Sequence, residues 1–125
     1  MKRPKVLILR TAGTNCDLET ASAFKMAGGE PELKHVRELV SGRTKLFDYG
    51  IVAIPGGFSY GDDVGAGRIL ANEIRGQLRE LRGFIRSGRP VIGICNGFQV
   101  LVKAGILPHT PAGEQVASLS FNDSN

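Results

Sequence analysis

The chain has 125 residues, 42% of them apolar, and a formal charge of +4 at pH 7, which together predict one globular domain and exclude a disordered protein. Its apolar runs are too short and too interrupted for a transmembrane helix or a signal peptide, so we expect a cytoplasmic protein without a membrane partner. Two separated cysteines predict neither a disulfide scaffold nor a metal site, and the small basic excess lacks the motifs of nucleic-acid binding, so we expect no nucleic-acid partner.

The first part of the chain alternates between strand and helix patterns. The run "KVLIL" (5–9) predicts a strand buried on both faces of a parallel sheet. Thr14 or Asn15 can cap the helix that follows, and a Gly-Gly pair ends it. The predicted apolar face of this helix consists of Leu18, Ala21, Ala23, Phe24 and Ala27. The alternating "PELKHV" (31–36) then predicts a second strand, followed by a polar segment.

The middle of the chain predicts a strand, a loop and a long helix. "YGIVAIP" (49–55) is typical of a buried strand, and the glycine- and aspartate-rich "GGFSYGDDVGAG" (56–67) indicates a loop. Apolar residues at helical spacing then predict one long helix that ends at Ser87. The opposite face of this helix carries a basic stripe of Arg75, Arg79, Arg82 and Arg86. The stripe is either a solvated face or a docking surface for an acidic partner.

The last part of the chain predicts a strand at "VIGI" (91–94), a helix over 96–104, and the start of a further strand at "VASLSF" (116–121). Strands alternating with helices predict an α/β fold, in which a parallel sheet carries helices on both faces. Because the newest strand lacks its helix, we expect a domain that is incomplete at the C-terminus. Its open sheet edge predicts poor solubility or self-association when the chain is expressed alone.

Cys95 lies in "GICNG" (93–97), the Gly-x-nucleophile-x-Gly spacing of a sharp turn between a strand and a helix. Gly93 and Gly97 suit this turn, because side chains there would collide with neighbouring backbone. The strand lifts the thiol to the carboxyl edge of the sheet, and the helix N-terminus favours its thiolate. The alternative is that Cys95 is a small buried apolar residue, as many free cysteines are.

Attack on an amide also requires hydrogen-bond donors for the developing oxyanion. The backbone amide of Asn96, directly after Cys95, is the first candidate. The second must come from another loop at the same edge, and Gly56 and Gly57 follow a strand that ends there. The cysteine turn and the glycine loop together therefore indicate a nucleophilic site.

Several segments resemble the glutaminase (glutamine amidotransferase) component of phosphoribosylformylglycinamidine synthase, a family of purine biosynthesis. They are "GTNCD" (13–17), "PGGFSYGD" (55–62), "GICNGFQVL" (93–101), "AGILP" (104–108) and "SLSFNDS" (118–124). They occur in the family's order through nearly the whole chain. The resemblance implies a flavodoxin-like class I glutamine amidotransferase fold, with residues 1–125 as the N-terminal part of a single domain.

The resemblance further implies that Cys95 attacks the side-chain amide of glutamine, releases ammonia and leaves a glutamyl thioester that water hydrolyses. Gly57 and Asn96 would supply the backbone oxyanion hole, and Gly56, Phe58 and Gln99 would contact the substrate. For Gln99 the alternative is a solvent-facing helix residue. The ammonia would pass to a synthase subunit that binds ATP and magnesium, with a small accessory subunit as a further partner, and this chain itself would hold no cofactor or metal.

The family's catalytic histidine and glutamate lie near the C-terminal end of a longer chain. The two histidines of this chain, His35 and His109, match neither position, and we expect a strand-face or packing role for His35 and a solvated loop for His109. Cys16 is expected to pack or to help cap a helix. Without the base, we expect the 125-residue chain alone to be inactive.

Two alternatives to the glutaminase stay open at this point. The first is a non-catalytic binding or regulatory module that keeps the fold and the partner surface. The second is a cysteine hydrolase or stress protein with the same turn. Proteins of that second class usually carry a histidine directly after the cysteine, where this chain has Asn96.

Overall fold

The computed structural model describes residues 2–10, 15–57, 66–108 and 117. Its centre is a four-stranded parallel sheet in the order β2-β1-β3-β4. The strands are β1 (Lys5–Arg10), β2 (Glu30–His35), β3 (Ile51–Ile54) and β4 (Val91–Gly93). Each of these strands was predicted from a short apolar or alternating run, so the parallel α/β architecture is confirmed.

Helices connect the strands and cover the sheet. They are α1 (Asp17–Met26), α2 (Val36–Val40), a 3-10 helix (Leu46–Asp48), α3 (Ala66–Arg75), α4 (Leu78–Arg86) and α5 (Asn96–Lys103). The predicted strand at 116–121, apart from residue 117, lies outside the described residues, as do Thr14, Phe58 and His109.

The two central strands, β1 and β3, are apolar on both faces, because each face packs under helices. Successive side chains of a strand point to opposite faces. On one face, Val6, Ile8 and Ala53 pack with Ala21 of α1. The larger core lies on the other face and includes Leu7, Leu9, Val52, Ile54, Ala71, Ile74, Leu81, Phe84, Val100 and Leu101. The expectation of helices on both faces is therefore confirmed.

The first helix differs in detail from its prediction. Its N-cap is Cys16, and no side chain caps it, so the predicted capping by Asn15 is wrong. The backbone carbonyl of Cys16 accepts the first hydrogen bond of the helix, from the amide of Thr20, and a second one from the Thr20 hydroxyl. Leu18 belongs to the predicted apolar face but is 70% exposed. The side of α1 that packs on the sheet is narrow and is centred on Ala21.

The predicted long helix is two helices, which is a second correction. α3 ends at Arg75 and α4 begins at Leu78, with Gly76 and Gln77 forming a turn between them. The amide of Gln77 bonds to the carbonyl of Ile74, three residues back, where an α-helix would bond four back. Glycine is among the weakest helix formers, so the chain breaks there although the apolar spacing continues.

The basic stripe does not run along one continuous helix, because the break divides it. Its first member, Arg75, donates a hydrogen bond to the backbone carbonyl of Lys103 at the end of α5, at 2.7 Å. Arg79 and Arg86 are exposed, and Arg82 is half-buried. At least one member of the stripe thus ties α3 to α5.

The polar segment after β2 contains a short helix that the sequence patterns did not predict. α2 begins at Val36, and His35 is its N-cap, with Nδ1 accepting the amide hydrogen of Arg37 at 3.1 Å. His35 is also the last residue of β2, so the expected strand position is confirmed, and the capping of α2 is a further role that the sequence did not predict. Its imidazole satisfies a helix amide that would otherwise lack an acceptor.

The strand order determines where a ligand can bind. β2 and β3 flank β1 on opposite sides, so the chain reverses its direction of travel across the sheet at β1 and β3. In open α/β sheets, ligands bind in the crevice outside the carboxyl ends of the strands at such a reversal. The segments that follow β1, β3 and β4 meet at this edge.

β4 is the last strand in the sheet order of the described residues, and Ile92 and Ile94 are each 43% exposed.

Among the described residues, no helix combines the length and the apolar character needed to cross a membrane. The described residues also contain no group of three or more His, Cys, Asp or Glu side chains arranged to hold a metal ion.

Tyr49 predicts an alkaline limit to stability. Burial, followed by the charge of Glu32, raises the pKa of Tyr49 to about 12, and its hydroxyl donates to Glu32 Oε1 at 3.4 Å. The folded state thus favours the neutral phenol, so this contribution is complete below pH 10 and is lost as the pH rises toward 12. We expect the free energy of unfolding of the chain to fall over this range, with a shallower decline in Tyr49→Phe. Chemical denaturation across the pH series measures it, and equal slopes for both proteins would contradict the assignment.

Candidate active site

Cys95 occupies the turn between β4 and α5. Its backbone has φ 54° and ψ −114°, and it is the one non-glycine residue with positive φ in the part of the chain that the structure describes. Such a conformation costs about 1–3 kcal/mol and persists only when the surrounding structure imposes it. The residue is exposed, so the fold holds the thiol out at the carboxyl edge of the sheet.

The glycines on either side of Cys95 allow this turn. A Cβ on Gly97 would collide with the carbonyl of Ile54 at the end of β3. A Cβ on Gly93 would lie 2.6 Å from Leu101 Cδ1 and 2.7 Å from the carbonyl oxygen of Gly97. The expected reason for glycine at both positions is thereby confirmed, and α5 begins in contact with the end of β3.

The Gly56–Gly57 segment that follows β3 lies directly against this turn. A Cβ on Gly56 would lie 2.8 Å from Cys95 Cβ and 3.4 Å from the backbone nitrogen of Asn96. The amide of Gly57 donates to Asn96 Oδ1 at 3.0 Å. The structure therefore brings together the two residues whose backbone amides are the candidate oxyanion donors.

Gly57 is held from both sides. Its φ is 75°, a left-handed value that favours glycine. Its carbonyl accepts the amide hydrogen of Asn15 at 2.9 Å, and a Cβ on Gly57 would collide with Asn15 Oδ1 and Cys16 Sγ. Asn15 and Cys16 thus lie directly against the candidate oxyanion donor, a position that the sequence patterns did not predict. The signal was the segment "GTNCD" (13–17), where only a capping or packing role was assigned.

The side chains of Asn96 and Gln99 form a second layer behind the thiol. Asn96 is buried, and its Nδ2 donates to Gln99 Oε1 at 3.1 Å. The Cys95 thiol contacts Asn96 Oδ1 at 3.9 Å. Gln99 is half-buried and faces Asn96, so the alternative of a solvent-facing residue is not what the structure shows.

His35 is not placed to act as a base for Cys95. It ends β2, whereas Cys95 follows β4, and β1 and β3 lie between them. Three strand spacings of about 4.8 Å separate them by about 14 Å in the sheet. The other histidine of the chain, His109, lies outside the described residues.

The model of the CobB/CobQ-like glutamine amidotransferase domain matches residues 3–125. The chain belongs to this glutamine amidotransferase family. One relative is phosphoribosylformylglycinamidine synthase subunit PurQ from Dehalococcoides mccartyi, which is 54% identical over 99% of this chain and 49% of the relative. Another is the PurQ subunit from Methanococcus maripaludis, which is 47% identical over 98% of this chain and 46% of the relative. The fold and family implied by the sequence resemblance are confirmed.

The structure of PurLQS from Thermotoga maritima matches 85% of this chain and 46% of its own chain, with a TM-score of 0.68 and 33% sequence identity. The chain spans about half the length of the curated relatives it matches. The described residues therefore correspond to part of a longer chain in those relatives.

The backbone of Cys95 predicts an unusual response to glycine. Because φ is positive there, Cys95→Gly relieves strain that Cys95→Ala keeps, and we expect the glycine variant to be more stable by about 1–2 kcal/mol. In a relaxed position, glycine would be the less stable residue, since it loses more chain entropy on folding. Urea unfolding of both variants measures the difference. A more stable alanine variant would contradict the strained turn.

Proposed function

We propose that the chain provides the nucleophile and the oxyanion hole of the glutaminase subunit of phosphoribosylformylglycinamidine synthase. The observation that carries this proposal is the strained turn at Cys95 packed against the Gly56–Gly57 segment. This arrangement supports the function because it combines an exposed thiol with backbone amides on one side of it.

In the proposed reaction, Cys95 Sγ attacks the side-chain carbonyl carbon of glutamine, and the carbonyl electrons move onto oxygen. The amides of Gly57 and Asn96 donate hydrogen bonds to that oxyanion. When the tetrahedral intermediate collapses, the C–N bond breaks and ammonia leaves with a proton from a general acid. Water then attacks the thioester, which yields glutamate and returns the thiol. Gly56, Phe58 and Gln99 are proposed to contact the substrate.

The general base and acid are proposed to come from a segment other than those described. The His35 side chain caps α2, and three strand spacings separate the end of β2 from the thiol after β4. Because neither His35 nor His109 matches the position of the family's histidine, the 125-residue chain alone is proposed to be inactive in turnover. Loss of a triad member typically lowers the rate by several powers of ten. We propose that residues 1–125 correspond to the N-terminal part of a single domain, and the proposal is supported by the 49% and 46% of the PurQ relatives that the chain covers.

The released ammonia is proposed to pass to a synthase subunit, in which ATP and magnesium support amidine formation, and a small accessory subunit is proposed to join the complex. The PurQ relatives are named as subunits of such a synthase, which supports a synthase partner. This chain is proposed to hold no cofactor of its own.

A non-catalytic module of the same fold is the competing proposal, and labelling separates the two. We expect a γ-glutamyl chloroketone, which mimics glutamine, to form an adduct on Cys95, as measured by mass spectrometry. The protein used is the intact protein, by which we mean the full-length protein that contains residues 1–125. Free glutamine should slow this labelling by competition. A folded intact protein with no adduct on Cys95 would overturn the glutaminase proposal.

A pair of glycine variants provides the control for this labelling. Gly57→Ala introduces a Cβ into Asn15 and Cys16 at a positive φ, whereas a Cβ on Gly50 would make only ordinary contacts at 3.8 Å. Displacing one oxyanion donor should slow the labelling about 100-fold or more in Gly57→Ala, and Gly50→Ala should label like the unmodified protein. Equal rates for the two variants would remove Gly57 from the proposed site.

A further inference from the structure

The amide that is proposed to bind the oxyanion already has a partner in the structure. Gly57 N donates to Asn96 Oδ1 at 3.0 Å. The same oxygen lies 3.9 Å from Cys95 Sγ. A substrate carbonyl oxygen must occupy a comparable position, close to the nucleophile and about 2.7–3.1 Å from the donor.

Asn96 also matches the substrate in chemistry. Its side chain ends in a carboxamide, which is the group of glutamine that is cleaved. We propose that the Asn96 side chain is an internal placeholder for the substrate carboxamide, which glutamine displaces from the Gly57 amide before Cys95 attacks. This inference rests on the proposed glutaminase function and assigns the Asn96 side chain a role separate from that of its backbone amide.

The orientation of the placeholder is set at both ends of its amide group. Nδ2 donates to Gln99 Oε1 at 3.1 Å, which directs Oδ1 toward Gly57. Asn96 is only 6% exposed, so its Oδ1 and Nδ2 would be buried polar atoms without partners if these two hydrogen bonds were lost and not replaced. A glutamine that binds Gln99 competes for the acceptor of Nδ2 and thereby loosens the bond between Oδ1 and Gly57.

The donor stays in position when the placeholder leaves. The Gly57 carbonyl accepts the amide hydrogen of Asn15 at 2.9 Å, and Asn15 and Cys16 pack against the glycine from the side of α1. These contacts do not involve Asn96. The placeholder therefore satisfies the amide before substrate binds, without being needed to hold the loop.

The test compares two reagents on Cys95 of the intact protein. One is the γ-glutamyl chloroketone, which needs the substrate site, and the other is methyl methanethiosulfonate, a small neutral reagent that reports only thiol access. The result is expressed as the rate constant for the chloroketone divided by that for methyl methanethiosulfonate. In this ratio, changes in the exposure of Cys95, in its thiolate content and in the folded fraction cancel. The variants are Asn96→Ala, Asn96→Asp and the control Lys103→Ala at the end of the same helix.

We expect Asn96→Ala to raise this ratio about 3- to 10-fold, the factor that corresponds to the net contribution of one neutral hydrogen bond. Asn96→Asp keeps the acceptor and strengthens the bond to the Gly57 amide, so its ratio should fall. Lys103→Ala should leave the ratio unchanged. Thermal unfolding shows whether each variant folds, and if Asn96→Ala does not, the near-isosteric Asn96→Asp carries the test.

The outcomes distinguish the two levels of the proposal. If the unmodified protein forms the adduct and Asn96→Ala leaves the ratio equal or lower, the placeholder is overturned and the glutaminase proposal stands. An unchanged ratio in Asn96→Asp overturns the placeholder in the same way. If the unmodified protein reacts with methyl methanethiosulfonate but never with the chloroketone, the glutaminase proposal fails and the placeholder fails with it.

Discussion

The contact between the start of α5 and the end of β3 is the constraint on which the site depends. Gly97 lies so close to the carbonyl of Ile54 that a Cβ has no room, and this approach forces the chain to turn sharply at Cys95. The positive φ of Cys95 is the cost of that turn, and the packing of Val100 and Leu101 into the core is the compensating gain. The exposed thiol is thus a consequence of backbone packing.

The backbone groups proposed to act with the Cys95 thiol lie at the same edge of the sheet as the thiol. Parallel strands end on one side, so the segments after β1, β3 and β4 become neighbours although they are distant in sequence. Gly57 lies between Asn15 and Asn96, with its carbonyl bonded to the first and its amide to the second. Because the bond to Asn15 does not involve Asn96, the Gly57 amide can keep its position when Asn96 Oδ1 leaves it, and a donor fixed in position is the basis of oxyanion stabilisation.

Much of the architecture could be predicted from the sequence, because buried parallel strands are short apolar runs and the glycines of a tight turn have a fixed spacing. The error in the long helix has a local cause, since the apolar spacing continues across Gly76 while the backbone does not. The bond between Gly57 and Asn96 joins residues 39 positions apart and depends on the path of a loop, which no periodicity encodes. The capping role of His35 could not be predicted, because the short helix that it caps has too few turns to show a pattern.

In the proposed exchange, the Gly57 amide releases Asn96 Oδ1 and binds the oxygen of the substrate. A crystal structure of the intact protein with a γ-glutamyl adduct on Cys95 tests it most directly. We expect the adduct oxygen to lie about 3 Å from the nitrogens of Gly57 and Asn96, and Asn96 Oδ1 to have moved away from the Gly57 amide. An adduct whose oxygen lies elsewhere, while Gly57 still donates to Asn96 Oδ1, would contradict it.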